Sequence, residues 1–239
     1  MSREDFINVV VRSKALELRD VPGKVTNEEV EYLLLDKQPF LYASGNWGPG
    51  YVSIKGLVSK KSLFRELVQG LHIQLNLGGV DKDIDFVAGN ATGGMIPGWL
   101  LSELLNVPYV YVRESRKKGG QKEVVTGAKY LEESSRGIVV EELVNFAESI
   151  CNSAYYLREL GFKCNYGACI LSYDNPEALK RLEKENIRLV KLFTLSELLD
   201  SAERFYDKKL VDEYRGFLED PLKWQELRGL TKVEKGGTL

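Results

Sequence analysis

The sequence predicts an α/β fold in which helices flank a mostly parallel sheet and a small hood lies at the N-terminal end. Apolar runs of strand length alternate with helix-like patterns through the middle of the chain, which is typical of βαβ units. Two of these runs end in short turns made of acids or of small residues. The alternating elements are strands at 84–88, 109–113, 138–140, 166–173 and 187–193 and helices at 95–105, 149–160 and 176–185.

Before this alternation the chain predicts a mixture of helices and short strands. Residues 26–30 begin with a threonine and have the pattern of a capped helix start. Residues 39–57 predict short strands around a turn that is rich in glycine and proline. Residues 60–77 predict a helix because leucines recur on one face. We expect this first part of the chain to form the hood and the entry to the sheet.

After the alternation, residues 195–218 predict terminal helices with an apolar stripe. Such a stripe favours packing in a core or at a dimer interface over ligand binding. No internal repeat or low-complexity linker divides the chain. The segments that these patterns predict are a hood at 1–57, a core at 58–199 and a C-terminal helical extension with a tail at 200–239.

Composition limits the class of protein. The chain has 239 residues, 44% of them apolar, and a mean hydropathy of -0.23, which suits one sizeable core or a core with a small lobe. Its formal net charge of -2 gives no field that would attract nucleic acid. No run approaches the roughly 20 apolar residues of a membrane span, and the three cysteines lack metal-ligand spacing. We expect a cytoplasmic protein with reduced cysteines that binds neither nucleic acid nor membrane.

The most informative motif is the acid pair Glu141 and Glu142, which follows the apolar run 138–140. In a parallel sheet such a turn lies at the carboxyl end of a strand, where ligands bind, and the next helix presents backbone N–H groups to an anion. Paired carboxylates beside an anion site suit a sugar phosphate, because they can bind ribose hydroxyls and a divalent cation. The alternative is a buried strand followed by an acidic helix N-terminus, which is common.

A second motif is the small-residue turn Ala91, Thr92, Gly93 and Gly94, which follows the strand predicted at 84–88. Glycine lets the backbone approach a ligand closely or take a positive φ. Turns between strands and helices also use glycine for geometric reasons alone. Two turns in one sheet that can both bind an anion nevertheless favour a ligand site.

Residues 114–123 form a third motif, which follows the strand predicted at 109–113. They are basic and contain glycine, and no apolar residue occurs before Val124. This composition predicts an exposed loop. It is either a solvated surface loop, as most charge clusters are, or a lid whose cations close over a polyphosphate.

The order of these motifs resembles the orotate phosphoribosyltransferases, a family with the type I phosphoribosyltransferase fold. The likeness runs from about Leu41 to about Leu199. Four segments at matching spacing carry it. They are 44–51, similar to the segment whose backbone cradles the pyrimidine base, 91–94, similar to the pyrophosphate loop, 111–127, similar to the flexible catalytic loop, and 139–143, similar to the signature of two acids after two valines.

The chain departs from the family pattern after the acid pair. The family has Ser or Thr and then Thr-Gly-Gly-Ser, which bind the 5-phosphate of the ribose, whereas this chain has Asn145, Phe146, Ala147, Glu148 and Ser149. The missing glycines restrict the backbone. Glu148 also brings a negative charge near a dianion, and like charges 4 Å apart cost about 1 kcal/mol in water and about 4 kcal/mol at an intermediate dielectric.

Three further positions differ from the family. Glu114 replaces a usual lysine and Gly119 a usual histidine in the flexible loop. Asn175 occupies the place where many members have the arginine that recognises the orotate carboxylate.

The resemblance implies transfer of phosphoribosyl from phosphoribosyl pyrophosphate to orotate, giving orotidine 5'-phosphate and pyrophosphate in pyrimidine nucleotide biosynthesis. It also implies Mg²⁺ as cofactor and a homodimer. Glu141 and Glu142 would bind ribose hydroxyls and help to bind Mg²⁺ through the substrate, while Arg113 and Lys117 would contact pyrophosphate. The other implied substrate-binding residues are Tyr51, Val52, Thr92, Gly93, Gly94, Asn145, Phe146, Ala147, Glu148 and Ser149.

Two other functions are compatible with the same residues. One is a non-enzymatic descendant of the family, a nucleotide-binding or regulatory protein that has lost the 5-phosphate site. The other is a transferase for another base or another phosphosugar. The altered residues 145–148 favour the descendant, whereas the acid pair and Arg113 favour catalysis.

Overall fold

The computed structural model describes residues 2–42, 44–113 and 123–234. The helices are α1 (Arg3–Arg12), α2 (Lys61–Leu77), α3 (Met95–Leu105), α4 (Glu148–Glu159), α5 (Pro176–Lys184), α6 (Leu195–Ala202), α7 (Lys208–Glu219) and α8 (Pro221–Arg228). The strands are β1 (Leu16–Leu18), β2 (Phe40–Leu41), β3 (Trp47–Gly48), β4 (Gly50–Val52), β5 (Phe86–Asn90), β6 (Tyr109–Val112), β7 (Val125–Thr126), β8 (Arg136–Val144), β9 (Lys163–Ser172) and β10 (Arg188–Thr194).

These elements belong to two compact units. The first unit comprises Met1–Ile7 and Ile54–Leu198, and the second comprises Asn8–Ser53 and Leu199–Leu239. The boundaries that the sequence suggested, at 57/58 and 199/200, stay predictions.

The first unit contains a six-stranded sheet in the order β10-β9-β8-β5-β6-β7. The first five strands in this order are parallel, and only β7 runs antiparallel to its neighbour. Helices α2 and α3 contact each other and the sheet, as do α4 and α5. The predicted α/β fold with a mostly parallel sheet flanked by helices is confirmed.

The alternation of side chains along β5 and β8 assigns the helices to opposite faces of the sheet. Phe86, Ala88 and Val139 form one core with α4. On the other face, α3 approaches so closely that a Cβ on Gly98 would lie 2.9 Å from the Cα of Gly89. Successive residues of a strand point to opposite faces, so α3 and α4 cover different sides.

The strand order creates a switch point between β5 and β8. From β5 the chain first adds β6 on one side, and later adds β8 on the other side. Ligands of open α/β sheets bind outside the carboxyl ends of the strands at such a point. The turn 91–94 lies there because it follows β5, and the acid pair lies there because it is two to three residues before the end of β8.

The second unit contains two antiparallel strand pairs, β1 with β4 and β2 with β3, together with α7 and α8. Its core is aromatic, since Tyr214 and Phe217 stack 5.9 Å apart. A Cβ on Gly50 would lie 2.7 Å from the Tyr214 ring, and one on Gly48 would lie 2.7 Å from Phe217. The backbone of residues 47–50, from β3 to the start of β4, is therefore packed directly on the C-terminal helices of this unit.

The helix predicted to start at Thr26 is wrong. Glu29 accepts a hydrogen bond from the Thr26 backbone N–H at 2.8 Å, as in a capping box, but only a 3₁₀ turn at Val30–Tyr32 follows, and Leu33 is extended. Helical stability in proteins comes mainly from a packed apolar face, and Val30 is the buried residue of this turn.

Two further sequence predictions concern membranes and cysteines. Within the described residues, no helix has the length and apolar character needed to cross a membrane. The three cysteines are free and buried, and burial raises the pKa of the Cys164 thiol to about 12. A thiol with such a pKa is protonated and unreactive.

Candidate active site

The acid pair lies inside a strand and not after it. The sequence predicted a strand at 138–140, but β8 continues to Val144 because it stays paired with β9, with Val144 opposite Ser172. Consecutive side chains of a strand point to opposite faces. Glu141 therefore shares the α4 face of the sheet and Glu142 the α3 face, so the two carboxylates have different surroundings.

The Glu141 side chain is buried and hydrogen-bonded. It is 9% exposed, and its Oε1 accepts a hydrogen bond from the Asn90 amide. The Asn90 Oδ1 in turn accepts one from the Ser153 hydroxyl at 2.9 Å. Sequence reasoning missed Asn90 and Ser153, although a polar residue that ends the apolar run of β5 was a visible signal.

Glu142 lies against the glycine turn. A Cβ on Gly93 would lie only 1.8 Å from the Glu142 Oε2, and one on Gly94 only 1.9 Å from the Val140 carbonyl oxygen. The peptide bond between Ala91 and Thr92 is cis. The two motifs that the sequence singled out are thus in contact, and the absence of side chains at both glycines permits this approach.

The altered turn after β8 leads directly into α4. Ala147 has a left-handed backbone with φ 58°, and Glu148 is the first residue of the helix. Arg181 of α5 donates a hydrogen bond to the Phe146 carbonyl and forms an ion pair with Glu148 at 3.2 Å. The Glu148 carboxylate therefore faces the Arg181 guanidinium. This cation partly neutralises the negative charge of Glu148, an acid that the family pattern does not have at this position.

The left-handed conformation of Ala147 makes a stability test possible. A left-handed conformation costs a residue with a side chain roughly 1–2 kcal/mol, and Ala→Gly removes this cost. The same change deletes a buried methyl group and increases the backbone entropy of the unfolded chain, and each of these two effects lowers stability by about 0.5–1 kcal/mol. We expect Ala147→Gly to change the free energy of unfolding by less than about 0.5 kcal/mol. Ala154→Gly, in the right-handed interior of α4, should cost about 1–2 kcal/mol. Equal losses in urea titrations of the two variants would contradict the assigned conformation.

Arg113 follows β6 at the same edge of the sheet. Its Nη2 donates a hydrogen bond to the Tyr111 hydroxyl at 2.8 Å, and its backbone N–H donates to the Val124 carbonyl at 2.9 Å. The second predicted loop cation, Lys117, lies outside the described residues, as do Glu114 and Gly119.

Asn175 has a structural role in the first unit. Its side-chain oxygen accepts a hydrogen bond from the Glu177 backbone N–H at 2.9 Å and caps α5. A capping side chain of this kind stabilises the helix start by about 1 kcal/mol. Where the family often has a base-recognising arginine, this chain therefore has a helix cap.

Tyr51 and Val52 belong to β4 of the second unit. The Tyr51 ring stacks on Phe40 with 5.6 Å between centroids, and the guanidinium of Arg19 lies 3.7 Å from the centroid of the Phe40 ring. Val52 is buried. Tyr51 thus presents a partly exposed aromatic face that its neighbours fix in orientation.

Comparison with curated proteins decides the family. An orotate phosphoribosyltransferase from Ruegeria sp. is 30% identical over 192 residues, which cover 79% of this chain and 84% of the relative. The chain belongs to the orotate phosphoribosyltransferase family. An orotate phosphoribosyltransferase from Porphyromonas gingivalis is 28% identical over 217 residues, covering 90% of this chain and 96% of the relative. No protein-family model matches the chain.

The fold of a solved family member agrees with this assignment. The orotate phosphoribosyltransferase from Aeropyrum pernix aligns with a TM-score of 0.66 and 24% identity, over 84% of this chain and 99% of that one. This orotate phosphoribosyltransferase-family chain retains the acid pair beside the glycine turn. It differs from the family pattern in the turn at 145–148, where Arg181 joins the local contacts.

Proposed function

We propose that the chain transfers the phosphoribosyl group of phosphoribosyl pyrophosphate to orotate, giving orotidine 5'-phosphate and pyrophosphate in pyrimidine nucleotide biosynthesis. The observation that carries this proposal is the contact between Glu142 and the glycine turn at Gly93. It brings an acid suited to ribose hydroxyls beside a turn suited to pyrophosphate, at the switch point of the sheet. Membership in the orotate phosphoribosyltransferase family supports the choice of substrates.

The proposed reaction depends on the placement of charge more than on proton transfer. As the bond from ribose to pyrophosphate breaks, positive charge develops on the ribose ring and negative charge on the leaving group. Glu141 and Glu142 would bind ribose hydroxyls near the developing cation. Backbone N–H groups of the turn 91–94, together with Arg113 and Lys117, would bind the pyrophosphate. Such preorganised charges commonly account for factors of about 10²–10³ in rate.

The 5-phosphate would bind at the turn 145–149 and at the start of α4. A helix N-terminus offers backbone N–H groups and a favourable dipole to an anion. Arg181 compensates part of the charge of Glu148 at this place. We therefore propose that the altered turn still binds the 5-phosphate, but weakly.

Mg²⁺ fits this site as an ion bound together with the substrate. No group of three or more acidic, histidine or cysteine side chains in the described part of the chain could bind a metal alone. Mg²⁺ usually binds through one or two carboxylates and the phosphates of a substrate, and Glu142 supplies a carboxylate beside the glycine turn. When bound, Mg²⁺ would neutralise charge on the departing pyrophosphate.

We also propose a cytoplasmic homodimer. Helix α3 is apolar around most of its circumference, and Ile96 and Trp99 are 48% and 53% exposed. Apolar surface of this kind on a helix favours a protein partner. A second copy of the chain is the partner that the family resemblance implies.

One observation favours a second candidate, a regulatory or nucleotide-binding protein without activity. Residues 146–148 combine a bulky aromatic side chain, a left-handed alanine and an acid where the family binds a dianion. A protein of this kind would retain the base segment and lose affinity for the phosphosugar.

Calorimetric titration with phosphoribosyl pyrophosphate distinguishes the two candidates. The proposed enzyme should bind the compound in the presence of Mg²⁺ and more weakly without it. Orotate added afterwards should produce the heat of turnover, whereas adenine should not. Heat of binding with orotate alone, and none with phosphoribosyl pyrophosphate at millimolar concentration, would instead support the inactive descendant.

A further inference from the structure

Three buried polar side chains, joined in series by hydrogen bonds, connect α4 to the acid pair. Ser153 and Asn90 are each 2% exposed, and Glu141 is 9% exposed. The Ser153 hydroxyl donates to the Asn90 Oδ1 at 2.9 Å, and the Asn90 Nδ2 donates to the Glu141 Oε1. Buried polar groups cost stability unless they are hydrogen-bonded. Three of them joined in series at the end of a strand therefore indicate a function beyond packing.

The register of the sheet brings Asn90 and Glu141 together. Gly89 of β5 pairs with Val140 of β8, so the next residues along, Asn90 and Glu141, point to the same face. That face is covered by α4, which carries Ser153. Rigid elements thus fix both ends of this hydrogen-bonded series of side chains, as a precisely positioned site requires.

The hydrogen bonds run in one direction, from Ser153 through Asn90 to Glu141. An amide donates through nitrogen and accepts through oxygen. Because Ser153 donates to the amide oxygen, the amide nitrogen of Asn90 faces Glu141. The Asn90 amide therefore holds one oxygen of Glu141 and fixes the rotation of its carboxyl group, which is otherwise a soft torsion.

We propose that Asn90 and Ser153 are positioning residues, which fix the orientation of the Glu141 side chain that binds the ribose hydroxyls of the phosphosugar. This inference rests on the proposed function, because the effect of the two residues is expressed through substrate bound at Glu141. It assigns to Asn90 and Ser153 a role in substrate placement beyond their contribution to folding.

A double-mutant cycle tests this role. Asn90→Leu has a similar size and no donor, and we expect it to lower kcat/KM for phosphoribosyl pyrophosphate about tenfold to a hundredfold, a usual cost of misplacing a binding group. The KM for orotate should change less than about twofold, since Glu141 does not contact the base in this proposal. In a Glu141→Gln background, Asn90→Leu should lower kcat/KM by less than about a further threefold, because the effects of residues that act as a unit are not additive.

Ser102→Ala provides a matched control for Ser153→Ala. Ser102 is also buried in a helix, at 3% exposure, and its hydroxyl donates to the Trp99 carbonyl at 2.7 Å. Both changes remove one buried serine hydroxyl, but only Ser153→Ala should lower kcat/KM for phosphoribosyl pyrophosphate, by about threefold to tenfold. Equal effects of the two serine changes would overturn the proposal. So would a loss of kcat/KM from Asn90→Leu that is as large in the Glu141→Gln variant as in the unaltered protein.

Binding and turnover are measured separately in all variants, by calorimetry with phosphoribosyl pyrophosphate and Mg²⁺ and by pyrophosphate release. The unaltered protein could bind phosphoribosyl pyrophosphate tightly without any turnover, while the effects of Asn90→Leu and Glu141→Gln on this binding are not additive. That result would contradict the proposed function and support the positioning role. Turnover without coupling in either measurement would support the function and overturn the positioning role.

Discussion

Replacing Glu142 by glutamine is expected to lower kcat about 10²- to 10³-fold, because the change removes a charge beside the ribose at the point where positive charge develops. The free energy of unfolding should change by less than about 0.5 kcal/mol, as is usual for side chains that are not buried. Glu142 is partly exposed, and its carboxylate lies against Gly93. Steady-state release of pyrophosphate and urea unfolding measure the two quantities.

Glu133→Gln is the control for this change. It removes an equivalent charge from an exposed position in the segment before β8 and should leave kcat unchanged. The double variant Glu141→Gln, Glu142→Gln should be at least as impaired as Glu142→Gln alone. An unaltered rate of pyrophosphate release in the double variant would show that the acid pair is not part of the active site.

Restoring the family residues in the altered turn should strengthen binding of phosphoribosyl pyrophosphate. The triple change Phe146→Thr, Ala147→Gly, Glu148→Gly removes bulk, a left-handed side chain and a charge. Glu148→Gly should contribute most. Its Coulomb gain is about 1 kcal/mol in water and about 4 kcal/mol at an intermediate dielectric. Because the Glu148 side chain is 69% exposed, the lower figure applies, which corresponds to about fivefold tighter binding.

Single charge changes separate electrostatics from backbone effects in this turn. Glu148→Gln should tighten binding about fivefold, and Arg181→Gln should weaken it by about the same factor, because it leaves Glu148 without its ion pair. Glu159→Gln, at the other end of α4, should have no effect. Glu159 lies eleven positions after Glu148, about 16 Å along the helix, which is beyond the screening length of about 8 Å at physiological salt. Tight binding by the unaltered protein, with no gain from the triple change, would contradict a weakened 5-phosphate site.

Local sequence patterns predicted most of the sheet. Apolar runs and glycine turns are encoded by neighbouring residues, so β5, β8 and the turn between β5 and α3 were recognisable. The end of β8 was not, because its extension to Val144 depends on pairing with β9, up to Ser172. A polar or acidic residue inside a strand breaks the hydrophobic pattern that marks the strand.

The network around the acid pair was beyond sequence reasoning for a similar reason. Asn90 and Glu141 are 51 positions apart, Ser153 and Asn90 are 63 apart, and Arg181 and Phe146 are 35 apart. Contacts at such separations follow from sheet register and helix packing, and no local pattern reports them. The sequence therefore indicated which residues carry chemistry, and the fold shows which residues position them.

The measurement that tests the central claim most directly is a stoichiometric assay of the unaltered protein with phosphoribosyl pyrophosphate, orotate and Mg²⁺. We expect orotidine 5'-phosphate and pyrophosphate to appear at equal rates, in a one-to-one ratio, and only when both substrates are present. Replacing orotate with adenine should abolish both products. Absence of orotidine 5'-phosphate at saturating concentrations of both substrates, from folded protein with Mg²⁺, would contradict the account.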